Sequence, residues 1–239
     1  MRWTRLLIAS LAAIAFTTTA LAQVRVGSKN FTEQFVVAEI YAQALEEKQI
    51  DLYPEYTGTM LLAVLKGELL TDRKAVYDKV KAEYAAKGLV VLDESPMNNT
   101  YNMVVRPETA AQHKLVTLTD LARVAKDLKL GAGPEFRDRK DGLPGLKAKY
   151  GIEFKEDLQM AIGLRYQALA NKQIDVVNGY ATDGMISALK LTRLKDDQNL
   201  WPPYYLAPVV RKDALDANPK MAEILNKSAP SSTKRRWRS

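Results

Sequence analysis

Tyrosine is the residue type in this sequence that most suggests a binding site. The chain has eleven tyrosines and only five phenylalanines. A tyrosine ring joins an apolar face to a polar hydroxyl, and this combination suits a wet cleft better than a dry core. The tyrosines are therefore the first candidates for a ligand-binding site.

Two of the tyrosines follow an internal repeat. The sequence Lys-Gln-Ile-Asp occurs at residues 48–51 and again at 172–175, and a tyrosine follows each aspartate by five residues, at Tyr56 and Tyr180. Each tyrosine precedes a turn and a predicted helix, so the repeat predicts two similar lobes. Ligands of α/β sheets bind beyond the carboxyl ends of strands, where both tyrosines would lie. Chance similarity between two strand-and-turn segments is the alternative.

The wider pattern predicts an α/β protein. Residues 49–53 predict a strand closed by Pro54, residues 73–87 a helix, residues 101–105 a strand and residues 174–177 another strand. Strands that alternate with helices are typical of an α/β fold with largely parallel sheets.

The residue types needed for catalysis are scarce. His113 is the only histidine, and no nucleophile lies beside it. The chain has no cysteine, which excludes disulfides, thiolate catalysis and cysteine-ligated metals. No phosphate-binding loop pattern is present either. We expect a protein that is not an enzyme and that needs no cofactor or metal.

The formal net charge of +7 lies mainly at the two ends of the chain. Residues 1–22 carry two arginines and residues 231–239 carry one lysine and three arginines, with no acidic residue in either segment, which leaves a net charge of +1 between them. A nearly neutral body lacks the basic surface of DNA- and RNA-binding proteins. We expect no nucleic-acid partner.

The first 22 residues have the order of a signal peptide. Arg2 and Arg5 precede an apolar run at residues 6–16, and Ala20-Leu21-Ala22 is a small-residue cleavage signal. Without a cysteine at the cleavage point the mature chain would carry no lipid anchor, so we expect a protein free in the periplasm. An uncleaved membrane anchor is the alternative, although the apolar run is shorter than the roughly 20 residues that span a bilayer.

Several motifs resemble those of the glycine betaine/carnitine/choline-type substrate-binding proteins of ABC importers. The specific ones are GSKNFTEQ at residues 27–34 and IDLYPEYTGT at residues 50–59. Supporting ones are NNTY at 98–101, GPEFR at 133–137 and PPY at 202–204. The resemblance runs from about residue 24 to residue 230.

The resemblance implies a two-lobed, type II-like periplasmic binding protein whose lobes are joined by crossover strands. Lobe I would comprise residues 23–98 and 205–230 and lobe II residues 99–204, with a basic, disordered tail at 231–239. The ligand would lie in the cleft between the lobes. The partner would be the permease of an ABC transporter in the inner membrane, and the binding protein itself would be a monomer.

The resemblance also implies an aromatic cage for a trimethylammonium group. Its rings would be Tyr56, Tyr101, Tyr180 and Tyr204, with Asn99 beside them. A ligand carboxylate would be held by Lys29, Thr59 and Arg137. The physical reasoning agrees, since a quaternary ammonium has no N–H donor and each desolvated ring face attracts it by about 2 kcal/mol. Arginine in turn grips carboxylates with two parallel hydrogen bonds.

Each assignment leaves an alternative open. Tyr101 could be a core residue, Tyr205 could face the cleft in place of Tyr204, and Arg137 lies in a charge run typical of a solvated surface. Lys29 and Asn99 could be ordinary loop residues. For the whole protein, the alternatives are a binding protein for another polar solute, such as an amino acid, and a secreted hydrolase.

The sequence departs from the family at two places. Glu47 runs directly into Lys48, where the family has a further strand, turn and helix, and residues 231–239 replace a further helical segment. Both differences fall on lobe I. Because a domain has only about 5–15 kcal/mol of stability, we expect this chain to be less stable than full-length relatives and to bind ligand weakly or not at all.

Overall fold

Two β-sheets organise the part of the chain that the computed structural model describes, which is residues 24–26 and 45–228. The sheet of lobe I has the order β1-β8-β2, and that of lobe II has the order β5-β4-β6-β3-β7. The strands are β1 Leu52–Tyr56, β2 Leu89–Val91, β3 Tyr101–Val105, β4 Lys129–Ala132, β5 Glu156–Gln159, β6 Val176–Tyr180, β7 Thr192–Leu194 and β8 Leu206–Arg211.

Helices surround the two sheets. They are α1 Thr57–Thr59, continued by a π-helix Met60–Val64, α2 Arg73–Ala85, α3 Pro107–His113, α4 Leu118–Ala122, a 3-10 helix Ala125–Asp127, α5 Pro134–Asp138, α6 Leu143–Tyr150, α7 Ile162–Ala170, α8 Gly184–Ala188, α9 Lys212–Ala217 and α10 Met221–Ser228. Within the described residues, none of these helices has the length and apolar character that crossing a membrane requires.

Two crossover segments join the lobes, residues 92–100 between β2 and β3 and residues 195–205 between β7 and β8. They run side by side. Ser95 N donates to Leu206 O at 2.7 Å, and Asn99 N donates to Tyr204 O at 2.9 Å. The two crossovers are therefore hydrogen-bonded to each other at the junction of the lobes.

Strand direction corrects the expectation of largely parallel sheets. Both β1 and β2 run antiparallel to β8, and β3 runs antiparallel to β6 and β7. The parallel pairs among the named strands are those of β4 with β5 and β6. The antiparallel pairs arise at the crossovers. β3 is the first strand after the chain enters lobe II, and β8 is the first strand after it returns to lobe I. Neither strand is joined to its neighbours in the sheet by the helical connection that makes strands parallel.

Strand β1 also corrects the expectation that Pro54 ends it. The strand continues through Pro54 to Tyr56, with Pro54 opposite Pro208 of β8. Proline is tolerated because Pro54 and Pro208 lie directly opposite each other, in an antiparallel pair that exchanges no ladder hydrogen bonds, so neither missing N–H leaves a partner on the facing strand unbonded. The extra residues place Tyr56 at the end of the strand, against lobe II.

The two copies of the Lys-Gln-Ile-Asp repeat adopt the same local structure. Lys48 and Lys172 both have left-handed backbone, with φ of 59° and 60°. Each following aspartate accepts a hydrogen bond from a backbone N–H and pairs with an arginine at the end of an antiparallel strand: Arg25 N and Arg211 for Asp51, and Lys129 N and Arg106 for Asp175. The repeat thus builds the same connection in each lobe.

Candidate functional site

A cavity between the lobes collects most of the predicted ligand residues. It is lined by Tyr56, Thr59, Asn99, Tyr101, Tyr180 and Tyr204. These are six of the eight residues proposed from the sequence. Arg137 does not line the cavity, and Lys29 lies outside the described residues.

Strand pairing positions two of the rings. Tyr101 on β3 lies directly opposite Tyr180 on β6, and their ring centroids are 5.3 Å apart with the rings inclined at 31°. Tyr56, from lobe I, ends β1 and packs into the main hydrophobic cluster of lobe II. Both lobes therefore contribute to one aromatic cluster.

The fourth ring comes from a crossover segment. Tyr204 is buried, and its ring centroid lies 5.8 Å from that of Tyr101 in an edge-on arrangement. Its ring packs against Gly58, where an added Cβ would lie only 2.7 Å from the Tyr204 Cε1. Tyr205 faces elsewhere, with the Arg73 guanidinium carbon 3.8 Å from its ring centroid. The structure thus brings Tyr204 to the cavity and keeps Tyr205 away from it.

Asn99 links the two sides of the site. Its Nδ2 donates to the Tyr56 hydroxyl at 3.2 Å, and its Oδ1 accepts from the backbone N and the Oγ1 of Thr182 at 3.2 Å and 2.5 Å. Tyr56 belongs to lobe I and Thr182 follows β6 of lobe II. The amide side chain therefore connects the lobes at the edge of the cavity.

The hydroxyls of the rings have different partners. Tyr180 donates to Glu135 Oε1 at 2.9 Å, and Tyr204 donates to the Asp141 carboxylate. The Tyr101 hydroxyl is buried and has no hydrogen-bond partner among the described residues. These contacts fix the rings of Tyr180 and Tyr204 at their outer edges and leave the ring faces for other contacts.

Burial keeps these phenols neutral. It raises the pKa of Tyr101 well above the usual value of 10, and it raises the pKa of Tyr180, where the neighbouring Glu135 carboxylate acts in the same direction. Burial also raises the pKa of Tyr56. The cavity therefore presents neutral rings at physiological pH, with their electron-rich faces intact.

Arg137 lies on another part of lobe II. Its Nη2 pairs with Asp157 Oδ1 at 2.7 Å, its Nη1 donates to Gln159 Oε1 at 3.4 Å, and 38% of its side chain is exposed. The assignment of Arg137 to a ligand carboxylate stays a prediction that these contacts do not support.

Arg139, which sequence reasoning missed, is a buried arginine behind the rings of Tyr101 and Tyr204, although it does not line the cavity itself. Its side chain is 1% exposed, and its Nε and Nη2 donate to Asp141 Oδ1 and Oδ2 at 2.7 Å and 2.9 Å. Its Nη2 also donates to the Tyr204 hydroxyl at 2.9 Å, and its guanidinium carbon lies 5.6 Å from the centroid of the Tyr101 ring. Nothing in the charge run of residues 137–141 distinguishes Arg139 from its neighbours, so no sequence pattern could have identified it.

Comparison with known proteins identifies the family. Residues 43–235 match the substrate-binding domain of the ABC-type glycine betaine transport system. The chain belongs to this family. The glycine-betaine-binding protein of Pseudomonas aeruginosa is 33% identical over 235 residues, covering 84% of this chain and 76% of that protein. The carnitine transport binding protein OpuCC of Listeria monocytogenes is 34% identical over 188 residues, covering 77% of this chain and 61% of that protein.

A solved structure of this substrate-binding family confirms the predicted architecture. The crystal structure of a glycine betaine/carnitine/choline ABC transporter protein superposes with a TM-score of 0.68 at 34% sequence identity, covering 80% of this chain and 71% of the other. The two-lobed α/β fold of periplasmic substrate-binding proteins, predicted from the motifs, is therefore confirmed.

Proposed function

We propose that this chain is the substrate-binding component of an ABC importer and captures a small quaternary ammonium solute such as glycine betaine, carnitine or choline. The observation that carries the proposal is that four tyrosines, Tyr56, Tyr101, Tyr180 and Tyr204, line one and the same cavity. Buried, neutral ring faces are what a cation without N–H donors can use, because the ring quadrupole attracts it without hydrogen bonds.

The ligand carboxylate, where one is present, is assigned to Arg139 in preference to Arg137. Arg139 is the buried cation next to the Tyr101 and Tyr204 rings, whereas Arg137 is partly exposed and paired with Asp157. Thr59, which is buried and lines the cavity, supplies a hydroxyl on the lobe I side.

Calorimetric titration of the purified chain tests the ligand class. Glycine betaine, carnitine or choline should bind, and glycine should not, because its ammonium lacks the methyl groups that contact the rings. Tyr180→Ala should weaken all quaternary ammonium ligands, since it removes a ring facing the shared head group. Equal binding of glycine and glycine betaine would refute the cage.

The two arginines give a matched pair for the carboxylate assignment. Arg139→Lys keeps a positive charge beside Asp141 and loses the planar fork, so it should weaken glycine betaine more than choline, which has no carboxylate. Arg137→Lys should leave the ratio of the two affinities unchanged. The opposite pattern would return the carboxylate site to Arg137.

The protein would work in the periplasm and deliver its ligand to a membrane permease. The family membership and the signal-peptide pattern of residues 1–22 support this location. Mass spectrometry of the periplasmic fraction should give a mature chain that begins at Gln23. A chain that stays with the membrane and retains Met1 would contradict the cleavage.

A further inference from the structure

One arginine of lobe I contacts both crossover segments. Arg73 is the first residue of α2, and its Nε donates to the carboxylate of Glu94 on the first crossover. The same guanidinium lies over the ring of Tyr205 on the second crossover, with its central carbon 3.8 Å from the ring centroid. A planar guanidinium stacks on an aromatic face at such a distance.

The first turn of α2, which carries Arg73, is held in place. The Asp72 side chain caps α2 by accepting a hydrogen bond from Ala75 N at 2.7 Å. At the other end, Glu94 is largely buried, with 13% of its side chain exposed. The arginine therefore connects an anchored helix to a crossover segment rather than to a free loop.

The second crossover carries a cage residue next to the contact. Tyr204 lines the cavity, while its neighbour Tyr205 stacks on Arg73. The backbone of Tyr205 is also tied to lobe I, since Thr57 N donates to Tyr205 O at 2.9 Å and Tyr205 N donates to Thr57 Oγ1 at 3.1 Å. Movement at Tyr205 would therefore shift Tyr204 relative to Tyr56.

We propose that Arg73 is a positioning residue that holds both crossover segments against lobe I and so sets the fraction of molecules whose lobes can close the cage around a ligand. The proposal rests on the ligand binding proposed above. Lobe closure is absorbed by backbone rotations at a few hinge residues. With Glu94 and Tyr205 held by Arg73, those rotations are confined to the lobe II side of the two contacts.

Removing Arg73 frees additional rotations and lowers the fraction of molecules whose lobes can close correctly around the ligand. Apparent affinity falls in proportion to that fraction. One partly exposed ion pair and one cation–π contact correspond to a loss of roughly threefold to tenfold in affinity. Since Arg73 does not line the cavity, the loss must be the same factor for every ligand, unlike the loss from a residue that touches the ligand.

The experiment compares Arg73→Ala with Lys74→Ala in the full chain. Lys74 is the next residue of α2, and it pairs with Asp78 one turn along the same helix. Calorimetry with glycine betaine and with choline should show that Arg73→Ala weakens both by one common factor, and that Lys74→Ala changes neither. Unchanged affinities in Arg73→Ala, or clearly different factors for the two ligands, would overturn the proposal.

A second measurement separates positioning from simple stabilisation. The chain has no native cysteine, so Ala82→Cys in lobe I and Gln112→Cys in lobe II give one pair of spin labels. Arg73→Ala should broaden the distance distribution between the labels in ligand-free protein, and Arg73→Lys should broaden it less. A lower melting temperature with an unchanged distribution would mean that Arg73 only stabilises the fold. If the parent chain binds neither ligand, the proposed function fails, and this distribution alone decides the role of Arg73.

Discussion

Gly58→Ala is the substitution for which the structure gives the sharpest expectation. A Cβ at this position would lie 2.7 Å and 2.8 Å from two carbons of the Tyr204 ring and 2.9 Å from Pro203 O. To reach an ordinary contact the ring must retreat by roughly 0.7 Å, which breaks the close packing of the cavity wall. The Tyr204 hydroxyl is held by Arg139 and Asp141, so the ring cannot retreat without straining those hydrogen bonds.

The cost of Gly58→Ala has two parts. Overpacking of this kind destabilises by about 1–3 kcal/mol, against a gain of about 1 kcal/mol from replacing a helical glycine by alanine. Displacing the Tyr204 ring from the cage removes up to about 2 kcal/mol of binding energy, or roughly a 30-fold loss of affinity. Urea unfolding and calorimetric titration with glycine betaine measure the two parts.

Gly163→Ala is the matched control. Gly163 lies in α7, and nothing stands within 4 Å of the position of an added Cβ. It should keep the helix-propensity gain and leave ligand affinity unchanged. If Gly58→Ala bound glycine betaine as tightly as Gly163→Ala does, the packing of Tyr204 on Gly58 would not matter for the site and the reasoning would be refuted.

Three further predictions follow from single contacts. Tyr180→Phe should cost about 1–3 kcal/mol of stability, because it removes the hydroxyl that donates to the buried Glu135 carboxylate. Tyr101→Phe should cost little, because the Tyr101 hydroxyl has no hydrogen-bond partner among the described residues, and equal losses in urea unfolding would contradict this pair of predictions. The free energy of unfolding should fall as pH rises above about 10, because the unfolded chain ionises its phenols there while burial raises the pKa of the same phenols in the folded chain. An ordinary midpoint in a tyrosinate absorbance titration of the folded protein would contradict this prediction. Backbone amide hydrogens of β1 and β2 should exchange with solvent faster than those of β3 and β6, because among the described residues the lobe I sheet has three strands and the lobe II sheet has five. Uniform protection would count against a weaker lobe I.

The internal repeat shows what local sequence can predict. Identical residues at 48–51 and 172–175 give matching left-handed lysines and matching aspartate contacts, because these features depend on short-range backbone geometry. The tyrosines that follow are at the ends of β1 and β6 for the same reason. The resemblance to the family placed Tyr101 and Tyr180 in one cage, but their direct pairing depends on strand register between distant segments and was not predicted.

The different environments of Arg137 and Arg139 show what local sequence cannot predict. Both arginines lie in one charge run at the end of α5, and a two-residue shift there changes the direction of the side chain from the surface to the interior. Arg139 is buried because Asp141 satisfies two of its donors, and that ion pair forms only when the turn after α5 brings Asp141 back toward the helix. Charge patterning treats the two residues alike, so packing decides between them.

The size of the cavity determines how ligand binding must proceed. The cavity between the rings has a volume of about 10 Å³, roughly the room of one water. A trimethylammonium group is larger, so the rings have to separate. Tyr101 and Tyr180 are fixed to each other by strand register within lobe II, whereas Tyr56 belongs to lobe I and Tyr204 packs on Gly58 of lobe I.

Separation of the lobes is therefore the movement that admits the ligand, since it carries Tyr56 and the Gly58 surface away from Tyr101 and Tyr180 without breaking strand register. Binding then exchanges ring–ring contacts, worth about 0.5–1.5 kcal/mol per pair, for cation–π contacts of about 2 kcal/mol each. The net gain per ring is smaller than the cation–π energy alone. A primary ammonium of the same charge lacks the methyl groups that fill the widened space, so it loses the ring–ring contacts without an equal return. Selectivity for methylated ligands thus follows from the close packing of the empty site as much as from the attraction of the rings.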